Sequence, residues 1–295
     1  MSERRIAFKG HDGLPLVALD EGPEHGMPVL LAHGGGQNKR AWKGVTSLLA
    51  AQGLRAIALD LRGHGESAWC ERGAYDVRDF AADIAMIAAG FDRKPALIGA
   101  SLGGLAGLLA EGEIAPGSFA SLTLVDVTPT MQAQGVDRVV EFMMARAREG
   151  FASPDEAADA IGAYLPHRPG RKSAAGLTHY LRRKEDGRFY WHWDPAFIEY
   201  VLKAREERNG ADAEPGSAML SSAAGRLNLP VHLIRGGSSD LVSPDDVAHF
   251  RQLVPHAEFS DISGATHMVV GDQNDAFGGA ILGFLMRKHS SSRQT

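Results

Sequence analysis

The chain has 295 residues, 44% of them hydrophobic, which suits one large α/β domain or a domain with a sizeable insertion. Its net charge of -5, from 31 basic against 36 acidic residues with no basic block, argues against nucleic acid and anionic membrane surfaces as partners. A single cysteine, Cys70, excludes an internal disulfide and a cysteine-built metal site, and a reducing compartment is therefore allowed.

Ser2-Glu3-Arg4-Arg5 has no apolar run behind it of the kind a secretory signal needs. The longest uncharged stretch, Pro95 to Ala110, is broken by Gly99, Ser101, Gly103, Gly104 and Gly107 and is too short for a membrane helix. A cytoplasmic protein is expected. In chain order, residues 4–8 and 14–19 read as a hairpin turning at His11-Asp12-Gly13. Pro28 to His33 is a continuous apolar run ending in Gly34-Gly35-Gly36, the pattern of a strand covered on both faces. A helix follows over Ala41 to Gln52, then a strand over Leu54 to Leu59. Tyr75 to Ala89 carries Phe80, Ile84 and Ile87 at helical spacing. A strand at Ala96-Leu97-Ile98, a helix from Leu102 to Leu109 and a strand at Leu122 to Val125 complete the first part. This alternation predicts a mostly parallel sheet with helices on both faces.

Past Pro129 the rhythm changes. Residues of about 130–225 read as helix-rich, without a buried strand, and contain the aromatic run Phe189 to Trp193. The α/β pattern resumes with a strand at Pro230 to Arg235, a helix after Pro244, a short strand near Glu258-Phe259 and a last helix from about Asn274 to Arg287. Residues 1–129 and 226–289 therefore form the expected core, 130–225 a helical cap inserted between two strands, and 290–295 a polar tail expected to be disordered.

Gly99-Ala100-Ser101-Leu102-Gly103 sits between a predicted strand and a predicted helix. A serine at the apex of such a turn takes a strained backbone, and its neighbours two positions away must be small. A serine hydroxyl needs a base to take its proton and a third group to orient that base. Asp240, in the loop after the strand ending at Arg235, and His267, in the loop after the last strand, supply both. In a parallel sheet these loops open at one edge. Asp126, at the end of the preceding strand, is the alternative acid.

With these motifs the chain resembles the α/β-hydrolase superfamily, in the branch with epoxide hydrolases, haloalkane dehalogenases and small serine esterases. The likeness covers essentially the whole chain. It rests on His33-Gly34-Gly35-Gly36, on Asp60-Leu61-Arg62-Gly63-His64-Gly65-Glu66-Ser67, on Gly99 to Gly103, and on the chain order Ser101, Asp240, His267. It implies an oxyanion hole from the amides of Gly35 (with Gly36 as its stand-in) and Leu102, each donor contributing on the order of 3 kcal/mol to the transition state. Epoxide hydrolases and dehalogenases of this branch use an aspartate nucleophile; Ser101 here implies acyl transfer, with no metal or organic cofactor.

The expected function is hydrolysis of a carboxylic ester or lactone by a two-step acyl-enzyme mechanism, with a small, apolar molecule as partner. A carbon–carbon bond hydrolase, a perhydrolase and a non-catalytic receptor are the alternatives. Gly36, Trp42, Trp191, Trp193 and Met268 are the candidate pocket residues, although the Phe189 to Trp193 run reads equally well as the insertion's own core. Asp60, Arg62 and His64 read as loop-locking groups, His33 as a brace for the glycine loop, and Cys70 as an inert thiol. Arg182-Arg183-Lys184 reads as a solvated helix face rather than an anion site. Oligomeric state is not legible.

Overall fold

The computed structural model of the protein describes residues 3–164, 174–177, 179–206, 216–263 and 275–289. Strands β1 (Arg4–Lys9) and β2 (Pro15–Glu21) form the expected hairpin, and β3 (Pro28–Ala32) leads through helix α1 (Lys43–Ala51) to β4 (Arg55–Asp60). Helix α2 (Val77–Ala89) precedes β5 (Ala96–Ala100), α3 (Leu102–Leu109) and β6 (Ser121–Val125). Then come α4 (Ala133–Met144), α5 (Pro154–Tyr164), β7 (Leu181–Arg183), β8 (Phe189–Trp191), α6 (Pro195–Glu206) and α7 (Ser217–Ala224). The chain returns to the sheet with β9 (Val231–Gly236), α8 (Pro244–Leu253), β10 (Glu258–Ile262) and α9 (Asp275–His289).

The sheet order is β1-β2-β4-β3-β5-β6-β9-β10, antiparallel at β1–β2 and β2–β4 and parallel elsewhere. This is the α/β-hydrolase fold. Strands β3, β5 and β6 are buried at every residue, because helices cover both faces. Alternate residues serve opposite layers. Leu30 and Leu97 join Phe80 and Ile84 of α2 in one core, while Leu31 and Ile98 join Leu49 of α1 and Phe284 of α9 in the other. Each such side chain, once fully buried, stabilises the fold by roughly 1.5–3 kcal/mol.

The strand order reverses at β3, with β4 on one side and β5 on the other, so a crevice opens beyond their carboxyl ends. The register pairs Ala32 with Gly99 and Ala100 with Val125. His33, Ser101 and Asp126 therefore leave the sheet side by side.

Helix α2 begins at Val77, two residues later than expected. The Asp76 carboxylate accepts from the Arg78 amide and Asp79 accepts from the Asp76 amide, a reciprocal cap that fixes the first turn. Tyr75 is left outside, buried, donating to Asp194 at 2.5 Å.

The residues between β6 and β9 are helix-rich, as expected, but also contain a short hairpin. Strands β7 and β8 form an antiparallel hairpin, so Arg182-Arg183-Lys184 is not a helix face. Asp186-Gly187 makes the turn: Asp186 accepts from the Arg188 amide and Gly187 takes φ +79°. That dipeptide is a hairpin signal in its own right. Among the described residues no helix is long and apolar enough to cross a membrane.

Candidate active site

The turn between β5 and α3 carries Ser101 at φ 46°, ψ -117°, a conformation most residues avoid. Its amide donates to the Val125 carbonyl at 3.1 Å, and its carbonyl accepts from Gly104 and Leu105, both at 2.9 Å. Small neighbours make this closure feasible. A Cβ on Gly99 would lie 2.6 Å from Cα of Gly104, and one on Gly103 would lie 2.6 Å from the Ala32 carbonyl carbon. The half-buried Ser101 side chain sits at the amino end of α3, where unpaired amides and the helix dipole favour negative charge.

The glycine loop after β3 runs over this serine: a Cβ on Gly34 would come within 3.3 Å of the Ser101 Cβ. Its amides have distinct fates. Gly34 N–H donates to the Gln37 side-chain oxygen at 3.1 Å, Gln37 N–H to the Gly34 carbonyl at 3.1 Å, and Gly36 N–H to Nε2 of His64 at 3.2 Å. The Gly35 amide has no hydrogen-bond partner among the described residues, and neither has that of Leu102. The stand-in role of Gly36 is thereby closed, since its amide is already committed to His64.

Two buried histidines hold the loop in this shape. His33 donates from Nδ1 to the Gly34 carbonyl at 2.8 Å and accepts from the Leu61 amide on Nε2 at 3.1 Å. His64 donates from Nδ1 to the Arg62 carbonyl at 2.9 Å. Each ring is thus neutral with a single defined tautomer. Burial is the main reason that their pKa values fall, to about 4 for His33 and about 3 for His64; the proximity of His33 depresses His64 further. His64 thus locks the glycine loop through both ring nitrogens.

The two candidate acids occupy different surroundings. Asp126 is buried, with its backbone at φ 50°, and its carboxylate accepts from the Gly236 amide at 3.0 Å and the Ser239 hydroxyl at 2.7 Å. The Ser239 oxygen also accepts from the amides of Leu241 and Val242, both at 3.1 Å, so the loop after β9 winds around it. That winding turns the Asp240 side chain outward. It is 43% exposed and takes Arg138 of α4 at 2.6 Å. The buried carboxylate at the edge beside Ser101 belongs to Asp126, not to Asp240, where the acid was expected. His267 and Met268 lie outside the described residues.

The expected pocket tryptophans are core residues. Trp42 is fully buried and stacks on Phe277 of α9 at 6.3 Å, beneath the sheet. Trp191 and Trp193 stack on each other at 4.8 Å, and Trp191 meets Phe151 edge-on at 4.8 Å, so they pack among the residues between β6 and β9. The side chains beside Gly35 are instead Met143 of α4 and Phe197 of α6. Their spacing within two separate helices carries no sign of this convergence.

Asp60 and Arg62 serve the loop. Asp60 accepts from the Lys39 amide at 2.7 Å, the Lys39 ammonium at 2.5 Å and the Glu66 amide at 2.8 Å. His11, Asp12 and Asp83 form a cluster with ligand-like spacing, within 4.8 Å of one another. The buried Arg62 guanidinium binds both Asp83 oxygens, at 2.7 and 2.8 Å, and so fills that cluster with a cation of its own.

Comparison with known proteins identifies the family. A model of the alpha/beta hydrolase fold family matches residues 27–273. Esterase Rv0045c of Mycobacterium tuberculosis is 31% identical over 255 residues, covering 83% of this chain and 78% of the relative. Its crystal structure superposes with a TM-score of 0.74 at 28% identity, over 97% of this chain and 92% of that one. An alpha/beta hydrolase from Novosphingobium aromaticivorans gives a TM-score of 0.78 at 24% identity, over 97% and 98% of the two chains. A 3-hydroxybutyrate-oligomer hydrolase of Cupriavidus necator is 25% identical over 264 residues, 86% of this chain and 88% of the relative.

Proposed function

The chain belongs to the α/β-hydrolase fold family and is a hydrolase, and on that premise we propose that it cleaves carboxylic esters or lactones through an acyl-enzyme on Ser101. One observation carries the reading. In the glycine loop and at the start of α3, the amides of Gly35 and Leu102 have no partner among the described residues, while those of Gly34, Gly36 and Gln37 are bonded. Leu102 directly follows a serine held in a strained turn, and Gly35 follows the glycine that packs against that serine. Two such donors suit the oxyanion of a tetrahedral intermediate, a charge that appears only as the reaction proceeds. The esterase name of the Mycobacterium relative supports the same substrate class.

In the proposed cycle, His267 takes the Ser101 proton as the oxygen attacks the carbonyl, and returns it to the leaving alcohol. Water then enters with His267 again as base and releases the acid. Asp126 is the proposed third member, supported by its burial, its strained backbone and its place on the strand next to Ser101. Met143 and Phe197 supply an apolar wall, which favours a small apolar acyl or alkyl group. The inserted segment 130–225 acts as the lid over the crevice.

The test is a panel of chromogenic esters of graded acyl length, run on wild type and Ser101→Ala. The proposal predicts turnover that falls by a factor of about 10⁶ in the variant. Activity surviving the substitution would remove Ser101 from the chemistry. Tight binding of these esters without turnover by wild type would favour the receptor reading instead.

A further inference from the structure

A second cleft, of about 290 Å³, lies between the loop after β3 and the β7–β8 hairpin. Its polar walls include Arg40 and Glu66 from the core, and His179, Arg182 and His192 from the inserted segment. The charges around it do not cancel. Lys39 is buried against Asp60 at 2.5 Å and Glu66 at 2.7 Å, and the second Glu66 oxygen takes Arg5 at 2.6 Å. Two carboxylates thus answer two cations. Arg40 and Arg182 have no carboxylate partner among the described residues.

Arg182 is held in place without being neutralised. One guanidinium nitrogen donates to the Gly65 carbonyl, and the group lies over the Trp69 ring at 4.9 Å. Burial is the first reason that its pKa falls, which marks an incompletely solvated cation. His192 closes the floor of the cleft. Its Nδ1 accepts from the Gly65 amide at 2.9 Å, so Nε2 carries the ring proton. That N–H is buried against the Gly36 backbone, so the ring braces Gly65 without reaching into the cleft.

We propose that this cleft binds a small oxyanion, a carboxylate or phosphate group, between the Arg40 and Arg182 guanidiniums. Guanidinium forks match the planar or tetrahedral oxygens of such groups, and a half-desolvated guanidinium binds them more strongly than an exposed one. The site is distinct from the Ser101 crevice. It lies across the glycine loop, beyond the His64 ring, which is centred 6.2 Å from that of His192. Binding there does not depend on ester hydrolysis.

The experiment measures thermal unfolding of the full chain at pH 7.5 in sodium phosphate, sodium acetate and sodium chloride of matched ionic strength, with a phosphate titration followed by ³¹P line width. Phosphate or acetate should raise the melting temperature above the chloride value, and the stronger of the two identifies the preferred group. Arg40→Gln should weaken the dissociation constant roughly tenfold, the worth of one charge-assisted contact, and Arg182→Gln at least as much. Ser101→Ala should leave it unchanged, and Arg40→Gln should leave turnover of a neutral ester unchanged. Equal stabilisation by chloride, or anion binding undiminished in Arg40→Gln, would overturn the proposal. Arg40→Gln decides the matter even if Arg182→Gln, which loses the Gly65 contact, does not fold.

Discussion

Replacing Asp126 and Asp240 by Asn, one at a time, separates the two carboxylates by both stability and rate. The Asp240–Arg138 pair joins side chains that are 43% and 54% exposed, so its loss costs at most about 1 kcal/mol. Asp240→Asn should therefore melt near wild type and keep its rate within about threefold, because the proposed triad draws on Asp126 in its place. Asp126 differs on both counts. Its carboxylate accepts from the Gly236 amide and the Ser239 hydroxyl while buried, and an Asn there presents an NH₂ to one of these donors. The loss of one charge-assisted bond costs about 1.5–3 kcal/mol, towards the lower end if the Ser239 hydroxyl reorients to accept. The rate should fall much further. A neutral amide neither stabilises an imidazolium nor selects the tautomer of the base, a defect worth about 10⁴ in turnover. The assay is kcat/KM on p-nitrophenyl acetate for both variants, with melting followed by circular dichroism to confirm folding. A 10⁴-fold loss in Asp240→Asn, with Asp126→Asn near wild type, would refute the reasoning and return the acid to the β9 loop.

Two further outcomes follow from packing and from burial. Gly99→Ala should lower stability by about 3 kcal/mol or more, seen as reduced soluble yield and an early urea transition, because its methyl would overlap the turn at Gly103 and Gly104; a wild-type midpoint would contradict the strand-to-helix closure described above. Acid should destabilise the protein well before its carboxylates titrate. His33, His64 and His232, driven by burial to pKa values of about 4, 3 and 4, stay neutral in the fold while the unfolded chain takes up protons near pH 6.5. Their folded values are depressed, so the stability they contribute is complete above pH 6.5 and drains away as pH falls towards 4. Each ring then costs roughly 1–1.5 kcal/mol per pH unit, and urea midpoints at pH 7, 6 and 5 should fall in step. Equal midpoints would contradict the buried neutral rings.

Much of the sheet was legible because continuous apolar runs such as Pro28 to Ala32 and Ala96 to Ala100 have few other uses in a chain rich in turns. The Ser101 turn was legible for a related reason: only glycine fits at 99 and 103, so the backbone demand is written in residue type. The acid was harder. Asp126 and Asp240 both follow strands at the same edge, and which carboxylate turns inward depends on the Ser239 hydroxyl and on a positive φ at Asp126. Neither leaves a trace in spacing. Trp42 misled because its burial depends on Phe277, more than 200 residues away along the chain. The β7–β8 hairpin was missed because its strands have three residues each, too short for alternation to show, although Asp186-Gly187 marked the turn. Arg182 consequently appeared solvated when it is tucked under Trp69 and Gly65.

The most direct measurement is covalent. Wild type and Ser101→Ala are treated with a fluorophosphonate, and adducts are located by intact mass and peptide mapping. A single adduct on Ser101 in wild type, with none in the variant, is the predicted result. Equal labelling of Ser101→Ala, or an adduct on another residue of the wild type, would contradict the assignment of Ser101 as the nucleophile.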